Sequence, residues 1–422
     1  MANAYIQEKF GIDGDILKLF DDAAGELFEV FSNIDRVSLR NEAKVLWSMQ
    51  KNRLATGDFA AGYGYGYNDR GREVTEAVYA DVFGAEAALC RPQIISGTHA
   101  IAAALFGNLR EGDELLYVTG EPYDTLCSVI GLRDSRNSLM SMGVSYACVD
   151  FTGDFTEDDV ERAVYPSTKM VGIQRSRGYS LRPSLSVSRI RQIISAVKRV
   201  NPEIICMVDN CYGEFTEIEE PIEAGADIVA GSLIKNPGAG IASAGGYIAG
   251  RKDLVENAAD RLTAPGLGRE IGPNLGMSRQ TLQGLFMAPP VVAGALKAAA
   301  LTARVLEKLG KEVSPKSFEE RSDIVQAVNL GSREALLAFC AGAQAAGPVD
   351  CFAKPASSLM PGYDCEIIMA SAAFTQGSSI EFSADAPVRE PYTAFLQGGI
   401  SFEHARLGAM IAVNNLRRNG FV

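Results

Sequence analysis

The feature that most limits the fold is a regular alternation of short apolar segments with helical segments between residues 87 and 250. Segments with β-strand character are Ala88–Ile95, Glu114–Val118, Val144–Val149, Met170–Gln174, Ile204–Asp209, Asp227–Gly231 and Gly245–Ala249. Helical segments are expected at Ala100–Leu109, Leu126–Ser141, Glu157–Ala163 and Ser186–Val200, with a further helix between Asp209 and Asp227. This alternation predicts an α/β domain with a mostly parallel, seven-stranded sheet that helices cover on both faces.

The flanking segments predict two further units. Residues 1–55 form a helical arm, because apolar residues recur at three- and four-residue spacing; it docks either on the main domain or on a partner subunit. An alanine-rich helix at Val291–Leu309 leads into a smaller α+β domain. That domain is expected to hold strands at Ile324–Val328, Glu366–Met369 and Ser379–Phe382 and helices at Ser332–Ala345 and His404–Asn415. The expected division is therefore 1–55, 56–290 and 291–422.

Composition excludes several classes of partner. The 422 residues carry 52 acidic and 40 basic side chains, a formal charge of −12, so a broad basic surface for nucleic acid or an anionic membrane is not expected. No signal peptide and no unbroken apolar run of membrane-spanning length is visible, which predicts a cytoplasmic protein. The eight cysteines form no Cys-x-x-Cys pair and the two histidines are far apart, so no metal site is expected.

Chemistry is expected where the strands end, because open α/β sheets bind ligands at the carboxyl edge. Asp209 ends one apolar strand, and Lys235 follows the next strand in a loop rich in Gly and Pro. The lysine is either an exposed surface residue or, given its apolar neighbours, a desolvated amine with a depressed pKa that can form a Schiff base. Asp209 is either a cap for the next segment or the partner of a bound pyridinium ring.

A second constellation suits an anion. Ser96, Gly97 and Thr98 follow a strand and open a helix, whose N-terminal N–H groups and dipole favour phosphate. Ser232 can supply a hydroxyl to the same anion. The competing interpretation is that Ser96 is a plain N-cap. Tyr123, just after another strand, offers an aromatic face to a ring, or else packs on the surface as a turn residue.

Two arginine-bearing segments are candidates for substrate recognition. Arg175, Arg177 and Arg182 follow the strand that ends at Gln174, and they form either an anion site or a salt-bridged structural loop. Arg389 could bring a carboxylate clamp from the small domain. The Gly62–Arg72 loop alternates glycine and tyrosine before two arginines, and it is either a surface turn or a loop that reaches into a ligand site.

Together these stretches resemble the fold-type I pyridoxal-phosphate enzymes of the cysteine and methionine metabolism superfamily. The chain is similar to the branch described as aluminium-resistance or methionine gamma-lyase-like proteins. The resemblance extends from the Gly-Tyr-Gly-Tyr loop to the Gln397-Gly-Gly segment. It is most specific at Gln174-Arg-Ser-Arg-Gly-Tyr and Ser232-Leu-Ile-Lys-Asn-Pro-Gly-Ala-Gly.

The resemblance implies an aspartate aminotransferase-like fold, the cofactor pyridoxal 5'-phosphate and a carbon–sulfur lyase activity on a sulfur amino acid. It implies that Lys235 forms the internal aldimine and that Asp209 pairs with the pyridine nitrogen. Tyr123 would stack on the ring and protonate the leaving sulfur. Phosphate would be held by the turn residues and by a neighbouring subunit's loop in a homodimer or homotetramer: Ser96, Gly97, Thr98, Ser232, Tyr65, Tyr67 and Arg70.

Two departures from the related lyases concern substrate and partner contacts. Those lyases have a Tyr-x-Arg spacing, whereas this chain has Tyr67-Asn-Asp-Arg70, and Lys235 is followed by Asn-Pro-Gly. An aminotransferase or decarboxylase would share every cofactor residue. A non-catalytic stress protein on the same scaffold is the third interpretation, and it predicts cofactor retention without turnover.

Overall fold

A computed structural model describes residues 2–360, 363, 365–371 and 373–422. The α-helices in this part of the chain are α1 (Ala2–Phe10), α2 (Gly14–Glu26), α3 (Phe28–Lys51), α4 (Arg70–Phe83), α5 (Gly97–Asn108), α6 (Asp124–Ile130), α7 (Glu157–Ala163), α8 (Val187–Val200), α9 (Lys252–Leu262), α10 (Ser278–Lys308), α11 (Arg333–Ala345) and α12 (Phe402–Arg418). The predicted α/β class is confirmed.

The large sheet contains the seven strands that the alternation predicts. They are β1 (Ala87–Arg91), β2 (Glu114–Tyr117), β3 (Ser145–Cys148), β4 (Thr168–Gln174), β5 (Ile205–Asp209), β6 (Ile228–Ser232) and β7 (Gly246–Gly250). Their spatial order is β1-β7-β6-β5-β4-β2-β3, and only β7 runs antiparallel to its neighbours. A mostly parallel sheet is therefore confirmed, and the ends of β4, β5 and β6 share one edge.

Side-chain alternation explains why this sheet is buried on both faces. In β5, Cys206 and Val208 belong to one apolar cluster, whereas Ile205 and Met207 belong to the cluster on the opposite face. Successive strand residues point to opposite faces, so a strand with apolar residues at every position is covered on both sides. The run that precedes Asp209 is such a strand.

The smaller sheet lies in the C-terminal part of the chain. Its strands are β8 (Glu312–Ser314), β9 (Val325–Asn329), β10 (Ser358–Leu359), β11 (Glu366–Ser371), β12 (Ser383–Pro387) and β13 (Thr393–Gln397), in the order β10-β11-β12-β13-β9-β8. All of its pairings are antiparallel. Helices α11 and α12 pack together beside it, which confirms the predicted smaller α+β unit.

Four predicted elements differ from the structure. The helix at Leu126–Ser141 ends at Ile130, because Gly131 adopts a left-handed conformation with φ 111°. Between β5 and β6 the chain forms turns rather than a helix, and Tyr212 and Phe215 have positive φ angles incompatible with one. The strand predicted at Ser379–Phe382 lies instead at β12, whose alternating small and polar residues give little β-strand signal.

The fourth difference is α10, which begins at Ser278 rather than at Val291. Pro289 and Pro290 lie inside the helix, where proline removes backbone hydrogen bonds and was expected to end it. Packing of α10 against α3 and α12 compensates for that loss. The predicted boundary at residue 290 falls inside this helix, and the three-domain division stays a prediction.

Helix α10 is long and apolar enough to cross a membrane by length and composition. However, 78% of its most apolar stretch is buried in the protein, as expected for a core helix.

The N-terminal arm packs on the C-terminal part of its own chain. Ile16, Leu17 and Phe20 of α2 share an apolar cluster with Phe339 of α11 and Leu416 of α12. Helix α3 runs along α10. The arm thus belongs to the core that supports the small sheet.

Candidate active site

A cavity of about 1110 Å³ lies between the carboxyl edge of the large sheet and one face of the small sheet. Seven of the predicted site residues on the large-sheet side line it: Ser96, Gly97, Thr98, Tyr123, Asp209, Ser232 and Lys235. They come from the ends of β5 and β6, the loop after β6, and the N-terminal turns of α5 and α6. The topology therefore brings together the residues that the sequence places after separate strands.

Lys235 enters the cavity from a tight loop that follows β6. A Cβ on Gly238 would lie 1.8 Å from the carbonyl oxygen of Leu233, so only glycine permits this turn. The Lys235 Nζ atom lies 4.0 Å from the centroid of the Tyr212 ring, within cation–π range. The lysine is thus positioned by the loop backbone and by one aromatic face, and it is not a surface residue.

The pKa of Lys235 differs from the predicted one. Burial lowers it, but the acidic groups around the amine, namely Cys211, Tyr212 and Asp209, raise it by more, so the net pKa lies well above the ordinary value. The prediction of a depressed pKa is therefore wrong for the free amine. The prediction took account of the apolar residues next to Lys235 in the sequence. It left out Cys211, Tyr212 and Asp209, which act on the amine in the folded chain.

Asp209 is a buried carboxylate at the end of β5. Its Oδ1 accepts a hydrogen bond from the backbone N–H of Cys211 at 3.1 Å. Burial raises the pKa of Asp209, and the Lys235 charge and the Cys211 N–H oppose that rise. Asp209 and Lys235 are thus electrostatically coupled at one end of the cavity.

The start of α5 can serve both as a cap and as an anion site. The Ser96 Oγ atom accepts a hydrogen bond from the His99 N–H at 3.0 Å, so Ser96 is an N-cap as the simpler interpretation held. The N–H groups of Gly97 and Thr98, at the first two helical positions, have no partner within the helix. A Cβ on Gly97 would lie 3.2 Å from Cys211 Sγ and 3.3 Å from Ser232 Cβ, so this turn packs closely on the ends of β5 and β6.

Tyr123 precedes α6 and lies across from that turn. Its hydroxyl is 3.0 Å from Thr98 Oγ1, and its backbone N–H donates to Gln174 Oε1 at 3.1 Å. Burial, together with the Asp209 charge, raises the pKa of Tyr123 well above its ordinary value. The phenol therefore stays protonated and can donate a proton.

The arginines divide between the cavity and the protein interior. Arg177 lines the cavity, although its guanidinium donates to the Ser314 carbonyl at 3.1 Å. Arg389 lines the cavity from the small sheet. Arg175 does not line it: the side chain is fully buried and donates to Asn210 and Glu217. Of the two interpretations of Arg175, this position fits that of a salt-bridged residue in a structural loop.

The Gly/Tyr loop does not line the cavity of its own chain. Tyr65 and Tyr67 are 70% and 60% exposed, and their ring centroids lie 5.7 Å apart. Arg70 pairs with the buried Asp58 at 2.7 Å. A role for Tyr65, Tyr67 or Arg70 in a ligand site thus requires a second subunit and stays a prediction.

Comparison with known proteins is decisive about the family. A family model described as methionine gamma-lyase matches residues 16–417. The chain belongs to the methionine gamma-lyase family. Membership makes the protein a pyridoxal-phosphate-dependent carbon–sulfur lyase with an amino-acid substrate, and the resemblance read from the sequence is confirmed.

Individual relatives agree with this assignment. The uncharacterized protein YnbB of Bacillus subtilis (strain 168) is 48% identical over 397 residues, 93% of this chain and 94% of its own. The crystal structure of a carbon-sulfur lyase involved in aluminum resistance from Clostridium novyi NT is 45% identical, with a TM-score of 0.93 over 97% of this chain and 98% of its own. The pyridoxal-5'-phosphate-dependent protein YhfS of Escherichia coli, at 18% identity and a TM-score of 0.62 over 91% and 97% of the two chains, shares the fold.

The cavity of this methionine gamma-lyase family member fits pyridoxal 5'-phosphate. The Gly97 turn packs closely on the ends of β5 and β6 and presents two N–H groups without helical partners, a donor set that suits a phosphate. At the other end, Asp209 offers a buried carboxylate to a protonated ring nitrogen. The same cavity holds a primary amine, that of Lys235, of the kind that an aldehyde requires.

Sequence reasoning missed several cavity residues. Gln174 positions Tyr123 through its side chain, and it could have been found as the polar residue that ends β4, just as Asp209 ends β5. Arg182 was not missed, since it is the third arginine of the segment after β4 that was expected at an anion site; it lines the cavity and donates to the carbonyls of Gln174 and Ser176, and burial lowers its pKa to about 10. Tyr179 and Asp385 meet in the cavity although 206 positions separate them, and no local signal predicts such a pair.

Proposed function

We propose that this cavity cleaves the carbon–sulfur bond of a sulfur amino acid and that Lys235 both anchors the cofactor and moves the Cα proton. One observation carries the proposal: Lys235, Asp209, Tyr123 and the start of α5 line the same cavity. Each of these groups has the charge or donor that one part of pyridoxal phosphate requires. The enzyme class alone does not assign these residues, so their roles are part of the proposal.

The cofactor would be held at both ends. Its phosphate would accept from the N–H groups of Gly97 and Thr98 and from the hydroxyls of Thr98 and Ser232. Asp209 would keep the ring nitrogen protonated, since a buried carboxylate gains most from a cation beside it. Tyr123 would lie against the ring, with its hydroxyl fixed by Thr98.

When bound, pyridoxal phosphate supplies an electron sink for the electrons left on Cα after proton removal. Lys235 Nζ is the base proposed to take that proton. With the cofactor bound, the Asp209 charge would be paired with the ring nitrogen and would raise the pKa of the Lys235 amine less, so that more of the amine would be unprotonated and able to accept a proton. Tyr123, kept protonated by burial, would donate its proton to the departing sulfur.

The test is product analysis with a panel of sulfur amino acids, without any amino acceptor. We expect a keto acid, ammonia and a thiol in equal amounts from at least one substrate. Pyruvate would assign β-elimination, and a four-carbon keto acid would assign γ-elimination. Product that appears only with an amino acceptor, carbon dioxide release, or cofactor binding without any turnover would contradict the proposal.

We further propose a cytoplasmic homodimer or homotetramer in which the Gly62–Arg72 loop reaches a neighbouring cavity. Two observations support this proposal: Tyr65 and Tyr67 are exposed, and neither lines the cavity of its own chain. Mixing inactive Lys235→Ala subunits with Arg70→Ala subunits should restore activity, because one mixed site then carries both intact residues. If the mixture stays as inactive as its components, or if Arg70→Ala is fully active, the loop has no role in trans.

A further inference from the structure

The turn that follows β5 holds an aromatic residue in an unusual backbone conformation. Tyr212 has a φ of 69°, in the left-handed region that a bulky side chain rarely adopts. Its carbonyl oxygen accepts a hydrogen bond from the Ile324 N–H at 3.2 Å, which ties the turn to the start of β9. Backbone strain of this kind persists where the surrounding structure fixes it, and it is concentrated at functional sites.

The Tyr212 ring is held in place as well as its backbone. The ring packs against an apolar cluster of the small sheet, formed by Val325, Ala327 and Phe395. It also lines the cavity, and its centroid lies 4.0 Å from Lys235 Nζ. At this distance the negative face of an aromatic ring attracts an ammonium group. The turn therefore offers a defined position to a charged Lys235 side chain.

Other charges act on the Lys235 amine from several elements. Burial disfavours the ammonium form, and these acidic groups favour it: Cys211, Asp209, Tyr123, Glu214 and Asp385. Four arginines that line the same cavity carry the same charge as the ammonium: Arg133, Arg177, Arg182 and Arg389. All of these residues stay the same when only Tyr212 is changed, so the contribution of its ring can be measured by itself.

The proposed function uses both forms of the amine. As a neutral amine, Lys235 takes the Cα proton, the bonding electron pair stays with the substrate, and the amine becomes an ammonium. That ammonium must remain beside the reacting carbon until it gives the proton up. A carboxylate could hold the ammonium but could also take its proton, whereas an aromatic ring attracts the charge and accepts no proton.

We propose that the Tyr212 ring holds the ammonium form of Lys235 during turnover, which makes Tyr212 a positioning residue for proton transfer at Cα. The inference rests on the proposed function, which assigns this proton to Lys235. The alternative is that Tyr212 only supports the turn after β5.

Capture of pyridoxal phosphate by the full chain freed of cofactor tests the inference without turnover. Only the neutral amine reacts with an aldehyde, so a ring that stabilises the ammonium slows capture. At neutral pH, Tyr212→Leu should therefore capture the cofactor about 10-fold faster than the wild type, whereas Tyr212→Phe, which keeps the aromatic face, should stay within about 3-fold. Unchanged or slower capture by Tyr212→Leu would overturn the inference, because damage to the turn alone cannot accelerate this reaction.

Exchange of the Cα proton with solvent deuterium tests the same ring in the holoenzyme. L-Alanine and L-norleucine have no sulfur to lose, so their exchange, followed by NMR, reports proton transfer alone. Tyr212→Leu should slow the exchange about 10-fold, and Tyr212→Phe should retain it. Tyr165→Leu, which changes an exposed tyrosine that does not line the cavity, is the matched control and should alter neither rate.

A series of fluorinated phenylalanines at position 212 covers the case in which Tyr212→Leu does not fold. Each added fluorine weakens the attraction of the ring for a cation at nearly constant shape. Capture should accelerate and exchange should slow progressively along the series. Rates that do not change along the series would overturn the inference.

The two measurements separate this inference from the proposed function. If the wild type exchanges the Cα proton and Tyr212→Leu matches it in both rates, the role of Lys235 stands and that of Tyr212 is refuted. If the wild type exchanges no Cα proton while Tyr212→Leu captures the cofactor faster, the ring holds the ammonium and the proposed function fails.

Discussion

The two walls of the cavity present their polar residues for different structural reasons. On the large-sheet wall, Asp209 and Lys235 sit where parallel strands end, and the fold alone brings such positions together. On the small-sheet wall, Asp385 and Ser383 lie in the middle of an antiparallel strand, and alternation alone turns them to the cavity. In the proposed function, the first wall holds the cofactor that the family shares, and the second wall faces the substrate.

The sharpest way to test this difference is to remove a charge from the large-sheet wall. Asp209→Asn should lower kcat by about 100- to 1000-fold for every substrate, because the carboxylate acts on the cofactor common to all of them. Steady-state kinetics across the sulfur amino acid panel measures the effect. Asp385→Asn is the matched change on the other wall, and its effect should differ between substrates, because that wall faces the substrate in the proposed function. If Asp209→Asn lowers kcat for only some of the substrates, Asp209 does not act on the cofactor that all of them share.

A second prediction concerns the support behind the large-sheet wall. Arg175→Met should lower the free energy of unfolding by about 2–4 kcal/mol, because the buried Glu220 loses the charge that it pairs with and keeps only neutral hydrogen-bond donors. Activity per folded molecule should change little. Urea unfolding of the purified variants measures the loss. Arg191→Met, which breaks a surface pair with Glu219, is the matched control and should cost less than about 1 kcal/mol. Equal effects of the two variants would show that Arg175 is not a buried support.

The smallest effect is expected from Glu214, which is fully buried and accepts from the Tyr247 hydroxyl at 2.8 Å. Burial raises the pKa of Glu214 to about 8. The folded state therefore holds a proton that the unfolded state loses near its ordinary pKa, and stability falls as pH rises between the two values. Glu214→Gln should remove this contribution, so its stability relative to wild type should rise by about 1–3 kcal/mol from pH 5.5 to 7.5.

Urea titrations at both pH values check the Glu214 prediction. Exposed Glu29 provides the control, since Glu29→Gln should leave the pH dependence unchanged. A Glu214→Gln variant with the same pH dependence as the wild type would mean that Glu214 is ionised in the fold.

How much the sequence predicts differs between the walls for a physical reason. The strands of the large sheet are evident because most of their positions are apolar and, outside the edge strand β3, nearly all are buried, and so the strand-end residues Asp209 and Ser232 fall where expected. The strand predicted near β12 lies several residues too early in the chain, because the small and polar side chains of β12 hide its alternation. Arg175 pairs with Glu217 and Glu220, which lie more than 40 positions later in the chain. No local sequence pattern indicates that these side chains meet.

Turns show the same limit. The chain between β5 and β6 bends through positive φ angles at Tyr212 and Phe215, neither of which is a residue that usually marks such turns. That turn places the Tyr212 ring under Lys235, which the helix predicted there would not do.

The proposed function assigns the cofactor's aldehyde to Lys235, and one chemical label tests that assignment directly. The holoenzyme is reduced with borohydride, digested and mapped by mass spectrometry. We expect the phosphopyridoxyl group on the peptide that contains Lys235, and no covalent label in Lys235→Ala after the same treatment. A label on another lysine of the wild type, or a label that persists in Lys235→Ala, would contradict the assignment of Lys235 as the cofactor's anchor.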